Sequence, residues 1–247
     1  ARYVHHGMVP NMFPDEGTAP LYNTADASLW YFYAVWQYLQ YYPDTAANAF
    51  VQENIYPHLK EIISAYKNGT DFSIHMEEDG LIHAGSGLDQ ITWMDVRVGD
   101  WVATPRHGKP VEINALWYNA LKVMEEFARR YEEDDDIPIS GSHVMTSCDY
   151  AALAELVRES FRQKFWWEEK GCLYDVVDGD EPDDHLRPNQ IYAVSLPFTM
   201  LSKEQEARIV TFAKEHLYIG CGLRSLTCDH ADYHGIYSLR KNFKIYA

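Results

Sequence analysis

Apolar side chains recur at helical spacing in the first third of the chain. Between Thr24 and Tyr42 they cover most of a helix circumference, which is typical of a buried helix, and Pro43 ends it. A second helix is predicted from Ala46 to Tyr66, and Pro57 predicts a kink or break within it because proline lacks the N–H that a helix interior needs.

Four further helices are predicted, together with a few short strands. The helices run from Pro110 to Tyr131, Tyr150 to Trp167, Asn189 to Leu201 and Lys203 to Leu217. Ser202 and Gln205 form a capping-box pattern before the last helix. The strands are Phe72–Met76 and Leu81–Ala84, which make a hairpin around Glu78-Asp79-Gly80, and Cys172–Val177. The pattern indicates an all-α protein with small β-hairpins in its loops, and it does not separate a toroid from a bundle or a solenoid.

Length, charge and cysteine spacing narrow the class of protein. The 247 residues are compatible with a single domain, 1–247, and no apolar run approaches the ~20 residues of a membrane helix. A net charge of -16 disfavours nucleic acid and anionic membranes as partners. Four widely spaced cysteines indicate free thiols in a reducing compartment, so we expect a cytoplasmic protein. The chain opens without a signal-peptide pattern or an initiator Met, as expected of a processed protein or a fragment.

One stretch, Ile91 to Tyr118, combines tryptophans with charged and amide side chains. Flat aromatic rings stack on the apolar faces of sugars, and carboxylate, guanidinium and amide groups bind pairs of hydroxyls. We therefore interpret this stretch as the floor of a carbohydrate site. The alternative is that its tryptophans are core residues and its charges are solvated. Trp93 and Trp101 are the candidates for stacking on sugars, whereas Trp117 lies within a predicted helix and is expected in the core.

Two other clusters are weighed as metal sites and set aside. The acidic run Glu132 to Asp136 lacks the alternating ligands of a calcium loop and is expected to be solvated. Cys228, His230, Asp232 and His234 alternate along the chain, but residues spaced in this way rarely converge on one ion without turns. We therefore expect neither a metal nor another cofactor.

Three blocks of the sequence resemble the amylo-α-1,6-glucosidase domain of glycogen debranching enzymes. They are YNTADASLWYF (22–32), TWMDVRVGDWVATPRHGKPVEINALWYNAL (92–121) and KGCLYDVV with LRPNQIYAVSLP (170–197); GMVPNMFPD (7–15) and GLRSL (222–226) are similar too. The resemblance implies an (α/α)6 toroid that hydrolyses the α-1,6-linked glucose at glycogen branch points without a cofactor. Six of the twelve helices of such a toroid are predicted here, so the chain resembles a central portion with helices missing from both ends.

Inverting glycosidases need a general acid and a general base on opposite sides of the sugar, about 6.5–9.5 Å apart. The resemblance implies that the Asp of T-W-M-D, Asp95, is the acid, and its apolar neighbours Trp93 and Met94 favour the raised pKa that this role needs. The base of the family lies near the end of the domain, and no matching segment follows Tyr233-His234-Gly235. Glu112 is the best substitute within the chain, but the related toroids place a substrate-contacting carboxylate there. We therefore expect the base to lie outside this chain.

The matched blocks also imply a set of substrate-binding residues. These are Asn23, Asp26, Trp30, Trp93, Arg97, Asp100, Trp101, Arg106, His107, Lys109, Glu112, Asn114, Arg187, Asn189 and Gln190. Asp26 or Thr24 could instead cap the first helix, and Asn189 with Gln190 could cap the fifth beside a surface Arg187.

The first hypothesis is a glycoside hydrolase acting on α-1,6 branches of glycogen or a related α-glucan, with low activity for the isolated 247 residues. The second is a glucan-binding remnant that uses the same tryptophans without turnover. A third is another exo-acting toroid glucosidase, trehalase-like or glucoamylase-like. The oligomeric state is not predicted.

Overall fold

A computed structural model of the chain describes residues 2–15, 17, 19–131, 145–178 and 182–235. The acidic run Glu132 to Asp136 lies outside these residues. Within them, none of the helices combines the length and apolarity that crossing a bilayer requires. The cysteines Cys148, Cys172, Cys221 and Cys228 are all free, as the sequence predicted.

The first predicted helix is confirmed, and the second is broken as its proline predicted. Helix α1 spans Ala25–Tyr41, α2 spans Thr45–Asn54 and α3 spans Tyr56–Asn68. The Asp44 side chain caps α2 by accepting from the Ala47 N–H at 2.7 Å. The break falls at Ile55, so Pro57 lies in the first turn of α3, where its missing N–H costs nothing.

Helix α4 (Val111–Tyr131) forms the centre of the described fold. All residues from Val111 to Leu121 are buried, because α4 packs against α1, α3, α5 and α6 on different sides. Helix α5 (Ser147–Phe165) lies beside it and begins with a capping box between Thr146 and Asp149. Trp117 is fully buried in α4, as predicted, and its Nε1 donates to the Gly80 carbonyl at 3.0 Å.

The predicted helix from Asn189 to Leu201 is wrong in length. The chain makes a 3-10 turn over Pro188–Ile191 and a single α-helical turn, α6 (Tyr192–Ser195), and then becomes extended at Leu196. Pro197 explains this ending, since the residue before a proline avoids the helical conformation. Helix α7 (Lys203–His216) follows, and its Ser202–Gln205 capping box is confirmed.

Eight short strands form four antiparallel pairs in the described residues. These are β1 (His75–Met76) with β2 (Ile82–His83), β3 (Val96–Val98) with β4 (Trp101–Ala103), β5 (Lys109–Pro110) with β8 (Val176–Val177), and β6 (Trp166–Trp167) with β7 (Cys172–Leu173). The β1–β2 hairpin was predicted. The predicted strand from Cys172 to Val177 divides into β7 and β8, which have different partners.

The pairing of β5 with β8 joins segments far apart in sequence. Gly108, just before β5, has a φ of +106°, and a Cβ there would lie 2.6 Å from the Asp178 side chain. Only glycine fits this approach without a shift of its neighbours. The pairing therefore holds the residues before β8 against the start of α4, which is where the candidate site forms. The fold is mostly helical with small hairpins in its loops, as the sequence predicted.

Candidate active site

Asp95 lies at the end of the loop that joins β2 to β3, and its side chain accepts three hydrogen bonds from that loop. They come from the Ile91 N–H at 2.7 Å, the Thr92 N–H at 2.8 Å and the Thr92 hydroxyl at 3.0 Å. Burial raises the pKa of Asp95 above its usual value, and these hydrogen bonds oppose the shift because they favour the anion. Asp95 is buried, with 2% of its surface exposed, and its role as the acid stays a prediction.

The N-terminus of α1 is attached to this loop. The Ala25 N–H donates to the Ile91 carbonyl at 2.8 Å, and the Asn23 side chain donates to the Gln90 carbonyl at 2.9 Å. Thr24 is the N-cap residue of α1, but its side chain makes no capping hydrogen bond. The first and second sequence blocks therefore meet beside Asp95, and the side-chain amide of Asn23 serves this junction.

Arg106 forms a buried ion-pair cluster with two carboxylates. Its guanidinium reaches both carboxylate oxygens of Glu112, with Nη2 at 2.6 Å from Oε2, and its Nε donates to Asp175 Oδ2 at 2.7 Å. Burial opposes the charge on Arg106, but Glu112 and Asp175 raise its pKa above the usual range. Burial raises the pKa of Glu112, against the opposing effect of Arg106. Both carboxylates are therefore bound to the guanidinium that compensates them.

Asn189 extends this cluster to the tryptophan beside Asp95. Its side-chain N–H donates to Asp175 Oδ1 at 2.8 Å, and its carbonyl accepts from Trp93 Nε1 at 3.1 Å. A continuous polar chain thus runs from Trp93 through Asn189, Asp175 and Arg106 to Glu112. It links the second and third sequence blocks through side chains alone, and Trp93 itself is 51% exposed.

Arg187 supplies a second guanidinium at this place. Its Nε lies 3.7 Å from Asp175 Oδ2 and is buried without a hydrogen-bond partner among the described residues. Its Nη1 donates to the Ser225 carbonyl at 3.3 Å. Burial lowers the pKa of Arg187. A buried donor without a hydrogen bond is costly, and the nearby carboxylate of Asp175 compensates the charge of this guanidinium.

Asp26 and Trp30 lie in the first turns of α1, where Asp26 is within electrostatic range of Arg106. Burial raises the pKa of Asp26, and the positive charge of Arg106 is among the effects that lower it. The Trp30 ring meets the Tyr192 ring edge to face, with centroids 5.6 Å apart. The carboxylates of Glu112 and Asp26 also contribute to the raised pKa of Tyr192, behind burial. Asp26, Trp30 and Tyr192 therefore add one carboxyl group and two aromatic rings near the cluster.

Three predicted binding residues lie on the exposed β3–β4 hairpin. Arg97 and Asp100 are exposed, and Arg97 Nε donates to the Gly99 carbonyl at 2.8 Å. The Trp101 side chain is 43% exposed. These residues are accessible to a ligand, in contrast to the buried cluster around Arg106.

The remaining predicted binding residues are used in contacts within the fold. Lys109 pairs with Glu77 and Asp79 at 2.7 Å each, on the β1–β2 hairpin. Asn114 makes two hydrogen bonds to the Ile82 backbone, and Gln190 accepts from the Leu173 N–H at 3.2 Å. The polar groups of these three side chains therefore bind other parts of the fold. The ring of His107 contacts the Asp89 carbonyl at 3.0 Å.

The sequence analysis missed two members of the site, Asp175 and Tyr192. Asp175 is only 2% exposed and joins Arg106 to Asn189. Both residues lie inside the third resembling block, in C-L-Y-D-V-V and P-N-Q-I-Y. A carboxylate inside the predicted strand Cys172–Val177 was the available signal for Asp175, because a buried carboxylate needs a cation.

Comparisons with known proteins agree on the class of this chain. The amylo-alpha-1,6-glucosidase family matches residues 1–244. The glycogen debranching enzyme of Saccharomyces cerevisiae is 24% identical over an alignment covering 94% of this chain and 20% of that protein. The chain thus spans about a fifth of the length of this relative.

Solved glycoside hydrolases share the fold at low sequence identity. The rhamnosidase of Klebsiella oxytoca has a TM-score of 0.58 at 16% identity, over 85% of this chain and 34% of its own. The GH78 family rhamnosidase of Bacillus sp. GL1 has a TM-score of 0.54 at 17% identity, over 77% of this chain and 17% of its own. These likenesses concern the fold alone. On the match over nearly its whole length, the chain belongs to the amylo-alpha-1,6-glucosidase family.

Proposed function

We propose that this chain contributes the general acid of an inverting glycoside hydrolase that removes α-1,6-linked glucose from branch points of glycogen or a related α-glucan. The observation that carries the proposal is the buried carboxyl of Asp95 beside the polar chain from Trp93 to Glu112. A buried carboxyl with a raised pKa holds its proton at a pH where an exposed Asp is ionised. It can therefore protonate the glycosidic oxygen as the bond breaks.

The other carboxylates of the cluster are better suited to binding than to base catalysis. Glu112 is bound through both oxygens to Arg106, and Asp175 is held by Arg106 and Asn189. A base that activates water needs a free lone pair facing that water. We therefore place the general base outside residues 1–247. In this proposal the 247 residues are part of one larger domain, an (α/α)6 toroid, and another part of that domain carries the base.

Exposed aromatic residues on α1 and α2 agree with an incomplete toroid. Tyr41 is 78% exposed, Tyr42 58% and Phe50 51%. Apolar surfaces of this kind are commonly covered by other protein. In this proposal the covering elements are the missing helices of the same domain.

One observation favours the alternative of a glucan-binding protein without turnover. The carboxylate of Asp95 is held by three donors of its own loop, an arrangement that stabilises the anion and secures the turn. The same exposed tryptophans would then hold a glucan that is never cleaved. Reaction products separate this alternative from the hydrolase.

We expect the full-length protein containing this chain to release free glucose from a phosphorylase limit dextrin. The 247 residues alone should release little, because the base is absent. The control substrates are trehalose, maltose and isomaltose, since turnover of trehalose or maltose alone would indicate a different exo-glucosidase. A full-length protein that binds the dextrin but releases no glucose would support the non-catalytic alternative.

We also expect Trp101→Leu to weaken α-glucan binding by on the order of tenfold, because leucine is apolar but lacks the flat face that stacks on a sugar. Trp101→Phe is the matched variant, which keeps a ring and should retain most of the affinity. Binding is measured by calorimetry with a branched dextrin, and thermal melting checks the fold. Equal affinity for Trp101→Leu and the parent would remove Trp101 from the site.

A further inference from the structure

We propose that His185, His230 and Asp232 form a binding site for a zinc ion beside the candidate active site. Their ligand atoms, two imidazole nitrogens and one carboxylate oxygen, all lie within 4.8 Å of one another. His185 Nε2 is 3.8 Å and His230 Nδ1 is 3.9 Å from Asp232 Oδ2, and the two rings have centroids 4.4 Å apart. None of the three side chains takes part in the cluster around Arg106.

The distances suit coordination after a small movement of the side chains. Zinc binds imidazole nitrogen and carboxylate oxygen at about 2.0–2.2 Å, which places neighbouring ligands of a tetrahedral site about 3.4 Å apart. The two separations from Asp232 Oδ2 exceed this value by about half an ångström, and the ligand atoms of the two histidines lie within 4.8 Å of each other. His230 Nδ1 accepts from the Asp232 N–H at 3.1 Å, so coordination through this nitrogen requires that hydrogen bond to open. Asp232 is the most exposed of the three, with 77% of its side chain accessible, so it can move toward an arriving ion.

Asp183 orients His185 in the way that zinc sites use. Its carboxylate contacts the Nδ1 of His185 and also accepts from the His185 backbone N–H at 2.9 Å. With the proton held on Nδ1, the free lone pair of the ring is on Nε2, which lies 3.8 Å from Asp232 Oδ2. A carboxylate behind a ligating histidine fixes the tautomer of the ring and raises its basicity as a ligand.

The composition of the site selects among cations. Two imidazoles with one carboxylate suit zinc and its neighbours in the transition series, whereas calcium and magnesium prefer oxygen ligands alone. Three protein ligands leave a fourth position for water. A bound ion would join the segment before Arg187 to the segment 222–235, and Arg187 already contacts Ser225 of the latter.

Titration with Zn²⁺ by calorimetry tests the site in the full-length protein, with Co²⁺ as a spectroscopic substitute. A Cys228→Ser background removes an exposed thiol two residues from His230. We expect one equivalent of metal to bind, with Co²⁺ absorption bands of nitrogen and oxygen ligation. His185→Gln and His230→Gln should each weaken Zn²⁺ binding more than tenfold, and Asp183→Asn should weaken it about 10- to 100-fold.

Two controls make the test specific. His75→Gln alters another close histidine pair, His75 with His83, whose ring centroids are 5.1 Å apart, and should leave the affinity unchanged. Asp184→Asn tests the overlapping group Asp183, Asp184 and His185; it should have little effect, whereas Asp232→Asn should weaken binding. Absence of binding at submillimolar Zn²⁺, or binding that is indifferent to His185→Gln and His230→Gln, overturns the proposal. Neither outcome depends on glucose release, so the hydrolase proposal is tested separately.

Discussion

Asp95→Asn is expected to lower glucose release from a limit dextrin by about 10²- to 10⁴-fold in the full-length protein, with little change in dextrin affinity. An amide cannot deliver the proton that the leaving oxygen needs, but it preserves the size of the side chain. Its oxygen can still accept from Thr92 as Asp95 Oδ1 does, whereas its NH2 group replaces the Oδ2 that accepts from the Ile91 N–H, so thermal melting checks the fold of the variant. The loss should therefore appear in kcat and in kcat/KM to a similar extent.

The pH dependence gives a second measurement of the same role. A general acid works in its protonated form, so activity should fall as the pH rises through the pKa of Asp95. Because burial raises that pKa, the fall should occur at a higher pH than for an exposed Asp. This alkaline limb should disappear from the residual activity of the Asn variant.

Asp71→Asn is the matched control, since Asp71 is an exposed loop carboxylate paired with His6 at 3.5 Å. It should retain full turnover. Unchanged turnover in Asp95→Asn, or an equal loss in both variants, would refute the assignment of Asp95 as the acid.

The largest loss of stability is expected for Arg106→Met. The substitution leaves Glu112 buried without a cation and deprives Asp175 of its closest one, and breaking a buried pair in this way lowers the free energy of unfolding by about 3–5 kcal/mol. Chemical denaturation of the parent and the variant measures the difference. Binding of a branched dextrin should weaken as well, because the polar chain from Trp93 to Glu112 is interrupted.

A double variant separates the lost pair from lost packing. Arg106→Met with Glu112→Leu removes both charges of the closest pair and should recover more than half of the stability, since apolar replacements of a buried pair are often tolerated. Arg129 is an exposed arginine that pairs with Glu125 and Glu126 on the same helix, and Glu125 also pairs with Lys122. Arg129→Met should therefore change stability far less. A loss in Arg106→Met as small as that in Arg129→Met would contradict the role of the buried cluster.

Much of the secondary structure was predictable because its causes are local. Pro57 predicted the break between α2 and α3, and the Ser202–Gln205 pair predicted the start of α7. The helix predicted from Asn189 was too long. Its residue composition is compatible with a helix up to Leu201, but Pro197 ends the helical conformation before that point. The β5–β8 pairing was not predicted, since each strand has two residues and its partner lies far along the chain.

The candidate site was also predictable only in part. Residue types in the matched blocks predicted that Asp95, Arg106, Glu112, Arg187 and Asn189 belong to one place. The structure joins Arg106, Glu112 and Asn189 through Asp175, with Arg187 3.7 Å from that carboxylate. The side chain of Asp95 is held by its own loop. Lys109, Asn114 and Gln190 carry equally suitable polar groups, yet their partners are Glu77 and Asp79, Ile82 and Leu173. A list of residue types cannot tell a ligand contact from an internal one, because that depends on which donors and acceptors folding places within about 3 Å.

The sequence by itself determined the helical class through local periodicity, and the starts and breaks of the main helices through capping residues and proline. Its continuous motifs determined the family and the candidate acid Asp95. Only the tertiary structure decided that Asp175 joins Arg106 to Asn189, and that His185 lies beside His230 and Asp232. The alternating segment Cys228 to His234 argued against a metal when taken alone. His185, from a distant loop, adds a third ligand and makes a metal site possible to propose. Coordination and ion pairing depend on distance in space and not on spacing along the chain.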